Sequence, residues 1–168
     1  MQRRLCLQLL AVSAGFSLVG CGFALRTAPN FAFKTLFSPL GESSQLGTAL
    51  KRSLESGGAV RVITDVRQID QADVILDMLQ DQREKVVVGV NASGQVREFQ
   101  LRILFKFKLR NAKGVELIAP TEITQQRDIS FNETAVLAKE AEETLLYRDM
   151  QNDIVQQIMR RLAAVTTL

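Results

Sequence analysis

The sequence predicts an α/β protein of the α+β type, with two helices packed on one face of a mixed β-sheet of about four strands. A βαβ start, a run of antiparallel strands and a long C-terminal helix follow in that order. Two patterns carry most of this expectation. Phe99, Leu101, Ile103, Phe105, Phe107 and Leu109 hold the odd positions of one stretch. Glu98, Gln100, Arg102, Lys106, Lys108 and Arg110 hold the even ones, interrupted only by Leu104. Successive strand residues point to opposite faces, so this is a strand with one face in a core and the other in water. Near the C-terminus, Leu146, Met150, Ile154, Ile158 and Leu162 recur every four residues, flanked by Tyr147, Val155 and Met159. That spacing gives one helix an apolar stripe to lay on a sheet.

The remaining elements follow in chain order. Phe31 to Phe37 is aromatic and alternating enough for a first strand, ended by Pro39 and Gly41. Leu46, Ala49, Leu50 and Leu54 share a helical face, with Ser43 or Ser44 as the cap and Gly57-Gly58 as the stop. Val60 to Thr64 is the next strand, and a βαβ unit of this kind pairs its strands in parallel. Val74 to Val88 is extended until Asn91-Ala92-Ser93-Gly94 turns the chain. Asn111-Ala112-Lys113-Gly114 makes the next turn, Pro120 marks an edge or a break, and Ile123 to Phe131 forms the last strand. The final helix begins between residues 132 and 137. Glu140, Glu142 and Glu143 lie early in it and Arg160 and Arg161 late, in the sense the helix dipole favours.

The N-terminus has a separate character. Arg3 and Arg4 precede an apolar run that closes on Leu18-Val19-Gly20-Cys21. A charged start, a short hydrophobic segment and small residues before a cleavage point make a secretory signal. A cysteine directly after that point resembles the lipobox of bacterial lipoproteins. Residues 1–20 are then a removed signal peptide, Cys21 is the acylated N-terminus, 21–30 is a lead-in, and 31–168 is one domain. A membrane-spanning helix needs about 20 apolar residues, whereas Leu5 to Val19 is shorter and broken by Gln8, Ser13, Gly15 and Ser17. A secreted protein with a chance cysteine at that place stays open.

Loss of the signal removes Arg3 and Arg4 and no acid. The 21 basic and 18 acidic side chains of the whole chain thus become 19 and 18. So even a balance does not suit phosphate-gripping nucleic-acid binding, and no such partner is expected. Cys6 leaves with the signal and Cys21 is acylated, so no disulfide forms. There is no histidine in the chain. Without imidazole or a free thiol the usual nucleophile–base pairs and zinc sites cannot be built. Neither an enzyme nor a cofactor or metal is expected.

Several segments resemble the LptE family of lipopolysaccharide-assembly lipoproteins. They are Cys21-Gly22-Phe23-Ala24-Leu25-Arg26, Glu98-Phe99-Gln100, Arg127, Leu137-Ala138-Lys139-Glu140, Tyr147-Arg148-Asp149-Met150 and Arg160-Arg161-Leu162. The resemblance implies an outer-membrane lipoprotein on the periplasmic side that plugs the lumen of the β-barrel LptD. It also implies help in barrel assembly and direct lipopolysaccharide binding in transport to the outer leaflet. Two basic positions serve that binding in the family. Lys139 matches one; the other falls on the uncharged turn near Ala92, with Arg97 the nearest basic residue.

Lipid A sets phosphates beside acyl chains, so its receptor needs cationic donors next to apolar side chains. Arg102 and Lys106, with Lys108 and Arg110, offer charge at a pitch of about 6.6 Å along one strand face. The same face also reads as a solvated surface or as one that meets acids of a barrel wall. Lys139 also reads as a helix-start lysine paired with a nearby glutamate. Gly22, where inner-membrane retention in enteric bacteria uses aspartate, agrees with outer-membrane delivery. The competing assignment is an adaptor lipoprotein of another envelope transport complex.

Overall fold

A computed structural model describes residues 29–41, 43–58 and 60–168. The signal segment and Cys21 lie outside the described residues. The elements run β1 (Thr35–Phe37), α1 (Gln45–Glu55), β2 (Arg61–Ile63), a 3-10 turn (Val66–Gln71), β3 (Val74–Val90), β4 (Val96–Asn111), β5 (Glu116–Ser130), a second 3-10 turn (Glu133–Ala135) and α2 (Val136–Ala163). They form one sheet in the order β2-β1-β3-β4-β5. Among the described residues it has five strands against the expected four or so, and each, β2 included, falls on a segment that the sequence pattern marks as a strand.

The β1–β2 and β1–β3 pairs are parallel, as the βαβ pattern requires, and β3–β4–β5 is an antiparallel meander. β1 is shorter than Phe31 to Phe37. Phe33 is buried in the core without being in the strand, with the Phe31 ring 5.4 Å away. The start of β1 is tied instead to the start of β3. An Asp73 carboxylate oxygen accepts the Lys34 and Thr35 N–H groups at 2.8 and 3.0 Å, and the Asp73 N–H donates to Thr35 Oγ1 at 2.8 Å. The Lys34 N–H, above all, holds the Asp73 carboxyl below the usual carboxylate range, against a smaller opposing effect of burial.

Both hairpins use one turn chemistry. Asn91 Oδ1 accepts from the Ser93 and Gln95 N–H groups, and Asn111 Oδ1 accepts from those of Lys113 and Val115. Gly94 and Gly114 then sit at φ +80° and +85°, the left-handed region glycine enters without a Cβ clash.

The odd residues of β4 make the core. Leu101, Ile103, Phe105, Phe107 and Leu109 are fully buried beneath α2, against Met150, Ile154, Ile158 and Leu162. Helix α1 buries Leu46, Leu50 and Leu54 in the same core, capped by Ser44 and closed at Ser56 with Gly58 at φ +66°. Gly47 belongs to that buried face as well, because a Cβ there would come within 2.8 Å of Leu40 Cβ. Beyond Phe37 and Ile75 the opposite face is open. Those two join Ile63 and Ala72 in a small cluster under Ile69 of the 3-10 turn.

One further boundary differs from the sequence pattern. β5 starts at Glu116 and passes through Pro120, which an edge strand tolerates because its missing N–H faces solvent. Helix α2 starts at Val136, within the expected 132–137, after a 3-10 turn capped by Asn132, and its acids begin in the second turn. β1 touches β3 only at Val74 and Ile75, which leaves β3 from Leu76 to Val90 without a strand on that side among the described residues.

Candidate functional site

The first turns of α2 overhang the hairpin end of the sheet and form a cleft there of about 240 Å³. Its apolar lining is Phe99, Ile129, Phe131 and Val136; its charged lining includes Lys85 and Lys139. The Phe99 and Phe131 rings meet edge to face with centroids 5.3 Å apart. Next in the chain to Val136, Leu137 is 82% exposed, so apolar surface continues out of the cleft onto the helix.

Lys139 reaches the cleft because α2 begins immediately after β5. Its Nζ donates to Ser130 Oγ at 3.0 Å and to Glu142 Oε2 at 2.8 Å, and the side chain is 22% exposed. Lys85 comes from β3, where it stands opposite Leu101 in the pairing with β4. Its Nζ contacts Glu143 Oε2 at 2.6 Å and lies 4.4 Å from the Phe99 ring centroid. One turn further along α2, the Tyr147 hydroxyl donates to the Glu84 carbonyl at 2.9 Å. Arg83 stacks 5.7 Å from that ring. Burial, with Glu143 adding to it, pushes the Tyr147 phenol above its ordinary pKa against the smaller pull of Arg83.

The basic residues singled out by the sequence do not form one cluster. Arg97 lies at the same end of the domain as Lys139, its carbonyl accepting the Phe131 N–H at 2.7 Å. Arg102 and Lys106 lie on the open face, across the sheet from the helices. Arg102 is bound to Gln100 Oε1 at 2.7 Å. Lys106 stands opposite Glu122 of β5 without closing to an ion pair. Nine residues separate Arg97 from Lys106, about 30 Å of extended chain, so one small head group cannot touch both ends. Lys108 and Arg110 are committed to Asp77, at 3.9 and 2.8 Å. Among the aromatics, Phe105 and Phe107 are fully buried core as expected, and Phe99 packs against the edge of that core while also lining the cleft.

Lys85 escapes sequence reasoning, since a lysine inside Asp81-Gln82-Arg83-Glu84-Lys85 reads as part of a wet strand face. Only the fold brings it against Glu143. No group of carboxylate or thiol ligands that could hold a metal ion occurs among the described residues. No described helix is long and apolar enough to cross a membrane.

Solved bacterial lipoproteins share this fold. The chain has a TM-score of 0.68 and 33% identity to uncharacterized lipoprotein B of Nitrosomonas europaea, covering 87% of this chain and 93% of that one. A minor lipoprotein of Acinetobacter baumannii has the same fold, with TM-score 0.62, 22% identity, and coverage of 80% and 94%. The class is therefore that of small α+β envelope lipoproteins. A family model described as LptE, lipopolysaccharide-assembly, matches residues 33–162, and the chain belongs to that family. It is 26% identical over 150 residues to the LPS-assembly lipoprotein LptE of Pectobacterium atrosepticum, 87% of this chain and 78% of the relative.

Proposed function

We propose that this lipoprotein is anchored by acyl chains on Cys21 to the periplasmic side of the outer membrane. There it fills the lumen of the LptD β-barrel, helps that barrel assemble, and binds lipopolysaccharide on its way to the outer leaflet. The observation that carries the binding role is the cleft at the hairpin end, where ammonium groups and apolar side chains stand side by side. Lipid A offers the complementary pair, phosphate next to acyl chain. Lys139 supplies a charge-assisted donor to a phosphate oxygen, Phe99, Phe131, Val136 and Leu137 meet hydrocarbon, and Arg97 adds charge at the same end.

The position of the chain's entry supports this orientation. Pro29 lies in a groove with Ser53, Ser56, Met159 and Arg160, at the C-terminal ends of both helices. From Lys139 to Arg160 the helix rises about 32 Å. The acylated end therefore enters the domain far from the cleft, and the eight residues from Cys21 to Pro29 reach at most about 28 Å when extended. Anchored in this way, the domain points its cleft away from the tether. Arg102 and Lys106, on the open face, are then placed to meet a surrounding wall, with Glu122 opposite Lys106 softening their field.

Lys139→Glu tests the binding role. The variant should keep its melting temperature and lose lipopolysaccharide binding by about tenfold or more, the cost of one charged hydrogen bond turned to repulsion. Undiminished binding by the folded variant removes Lys139 from the site. For the barrel role, mild-detergent extraction of a C-terminally tagged copy should bring LptD with it. Recovery of inner-membrane transport subunits in its place would favour the adaptor assignment.

A further inference from the structure

Resting on the reading that Lys139 contacts the glycolipid, we infer that Lys85 is a second phosphate-binding cation of the same cleft. Glu143 and Glu142 hold the two lysines closed until an anion displaces them. Both ammonium groups line one cleft of about 240 Å³, with no other basic side chain among the described residues of its lining. Each is matched by a carboxylate of α2, Lys85 with Glu143 at 2.6 Å and Lys139 with Glu142 at 2.8 Å. Glu140 lines the cleft too. Two positive and three negative groups leave the resting cleft without any excess positive charge, so a phosphate gains nothing there until the carboxylates swing away.

They have somewhere to go. Glu142 is half exposed and Glu143 is about a quarter exposed, so both can return to water while α2 stays in place. Lys85 keeps its seat over the Phe99 ring and Lys139 its bond to Ser130 Oγ, so both cations stay aimed into the cleft. An ammonium group carries three N–H donors, which leaves each lysine donors to spare for phosphate oxygens. The Tyr147 hydroxyl on the Glu84 carbonyl keeps α2 attached to β3 during the exchange. Capture is then an exchange of one anion for another, weak and easily reversed, which suits a protein that passes its cargo on.

The test uses the full-length acylated chain in detergent micelles, with detergent-dispersed lipopolysaccharide, its dephosphorylated form and inorganic phosphate as probes. The double variant Glu142→Gln, Glu143→Gln should bind phosphorylated lipopolysaccharide about tenfold more tightly, and Lys85→Gln about tenfold more weakly. Lys85→Arg should restore much of the loss. Affinity for the dephosphorylated probe should not change in any of them. The gain in the glutamine variant cannot come from unfolding, so the inference stays testable even if Lys85→Gln is unstable.

If Lys139→Gln weakens binding while Lys85→Gln and the glutamine pair bind as wild type, the two-cation inference is overturned and Lys139 keeps its role. If Lys139→Gln binds normally, the reading beneath it fails. A gain that persists on the dephosphorylated probe also overturns the inference. Competition by inorganic phosphate at equal concentration overturns the assignment to a lipid head group.

Discussion

Ile103→Asp tests the division of β4 into a core face and a wet face. Ile103 is fully buried at the middle of the strand, between Arg83 of β3 and Gln125 of β5 and beneath α2. Removing its apolar side chain forfeits about 1.5–3 kcal/mol of burial. Arg83 stands opposite on β3 but is turned out over the Tyr147 ring, so desolvation dominates for the introduced carboxyl; a rise of its pKa by about 3–5 units adds about 4–7 kcal/mol of penalty at neutral pH. The sum, about 6–10 kcal/mol, equals the whole stability of an ordinary domain of this size. The variant should therefore be unfolded near pH 7.

Acid should partly rescue it. A carboxyl whose folded pKa lies above its unfolded value destabilises most when ionised, so the penalty shrinks as pH falls through the raised folded pKa. Leu104→Asp, one residue along on the open face, should cost about 1 kcal/mol or less. The chain has no tryptophan and one tyrosine, so urea unfolding is best followed by far-ultraviolet circular dichroism. Equal midpoints for the two variants, or a wild-type midpoint for Ile103→Asp, would refute the face assignment.

Three other outcomes follow from particular contacts. Cys21→Ala should release the protein from membrane fractions; an unchanged distribution would end the lipobox reading. Gly47→Ala raises helix propensity by about 1 kcal/mol, yet its Cβ would meet Leu40 Cβ at 2.8 Å and the Gly41 and Leu40 carbonyls at 2.9 Å. Overpacking should win by about 1–3 kcal/mol, so thermal melting should fall. Asp73→Ala should cost about 1 kcal/mol, kept small by solvent. Because the folded pKa of Asp73 lies below its unfolded value, that difference should be full above about pH 4 and shrink as pH falls through the folded pKa. A difference independent of pH would mean that Asp73 contributes through shape alone.

How much was legible in the sequence depended on how evenly each segment is buried. β4 is readable because a covered face and an open face alternate along it without interruption. The stripe of α2 is readable from Leu146 to Leu162 because that part lies on the core, whereas its first turns overhang the sheet and mix Leu137 and Leu145 with glutamates. The first strand misleads because Phe31 and Phe33 pack as anchors ahead of it. The start of β5 hides behind Pro120, whose tolerance depends on the strand being an edge, which is a property of the whole sheet.

For the cleft, Lys139 is visible only through family resemblance. Lys85 is not visible at all, since its partner Glu143 is 58 residues away. Arg102 and Lys106 are correctly assigned to the open face of β4, but no local pattern shows that this face looks away from Lys139.

The margin of β3 beyond Ile75 has a practical corollary. Peptide N–H and carbonyl groups along it offer a ready template to any other extended chain. Val86, Val87, Val88 and Val90 are each between 37% and 60% exposed there. The far margin is protected by Pro120, but this one has no proline and only a short charged stretch to discourage stacking. Concentrated samples of the isolated polypeptide should therefore self-associate side by side through β3, and a lysine placed at Val88 should be enough to keep them apart.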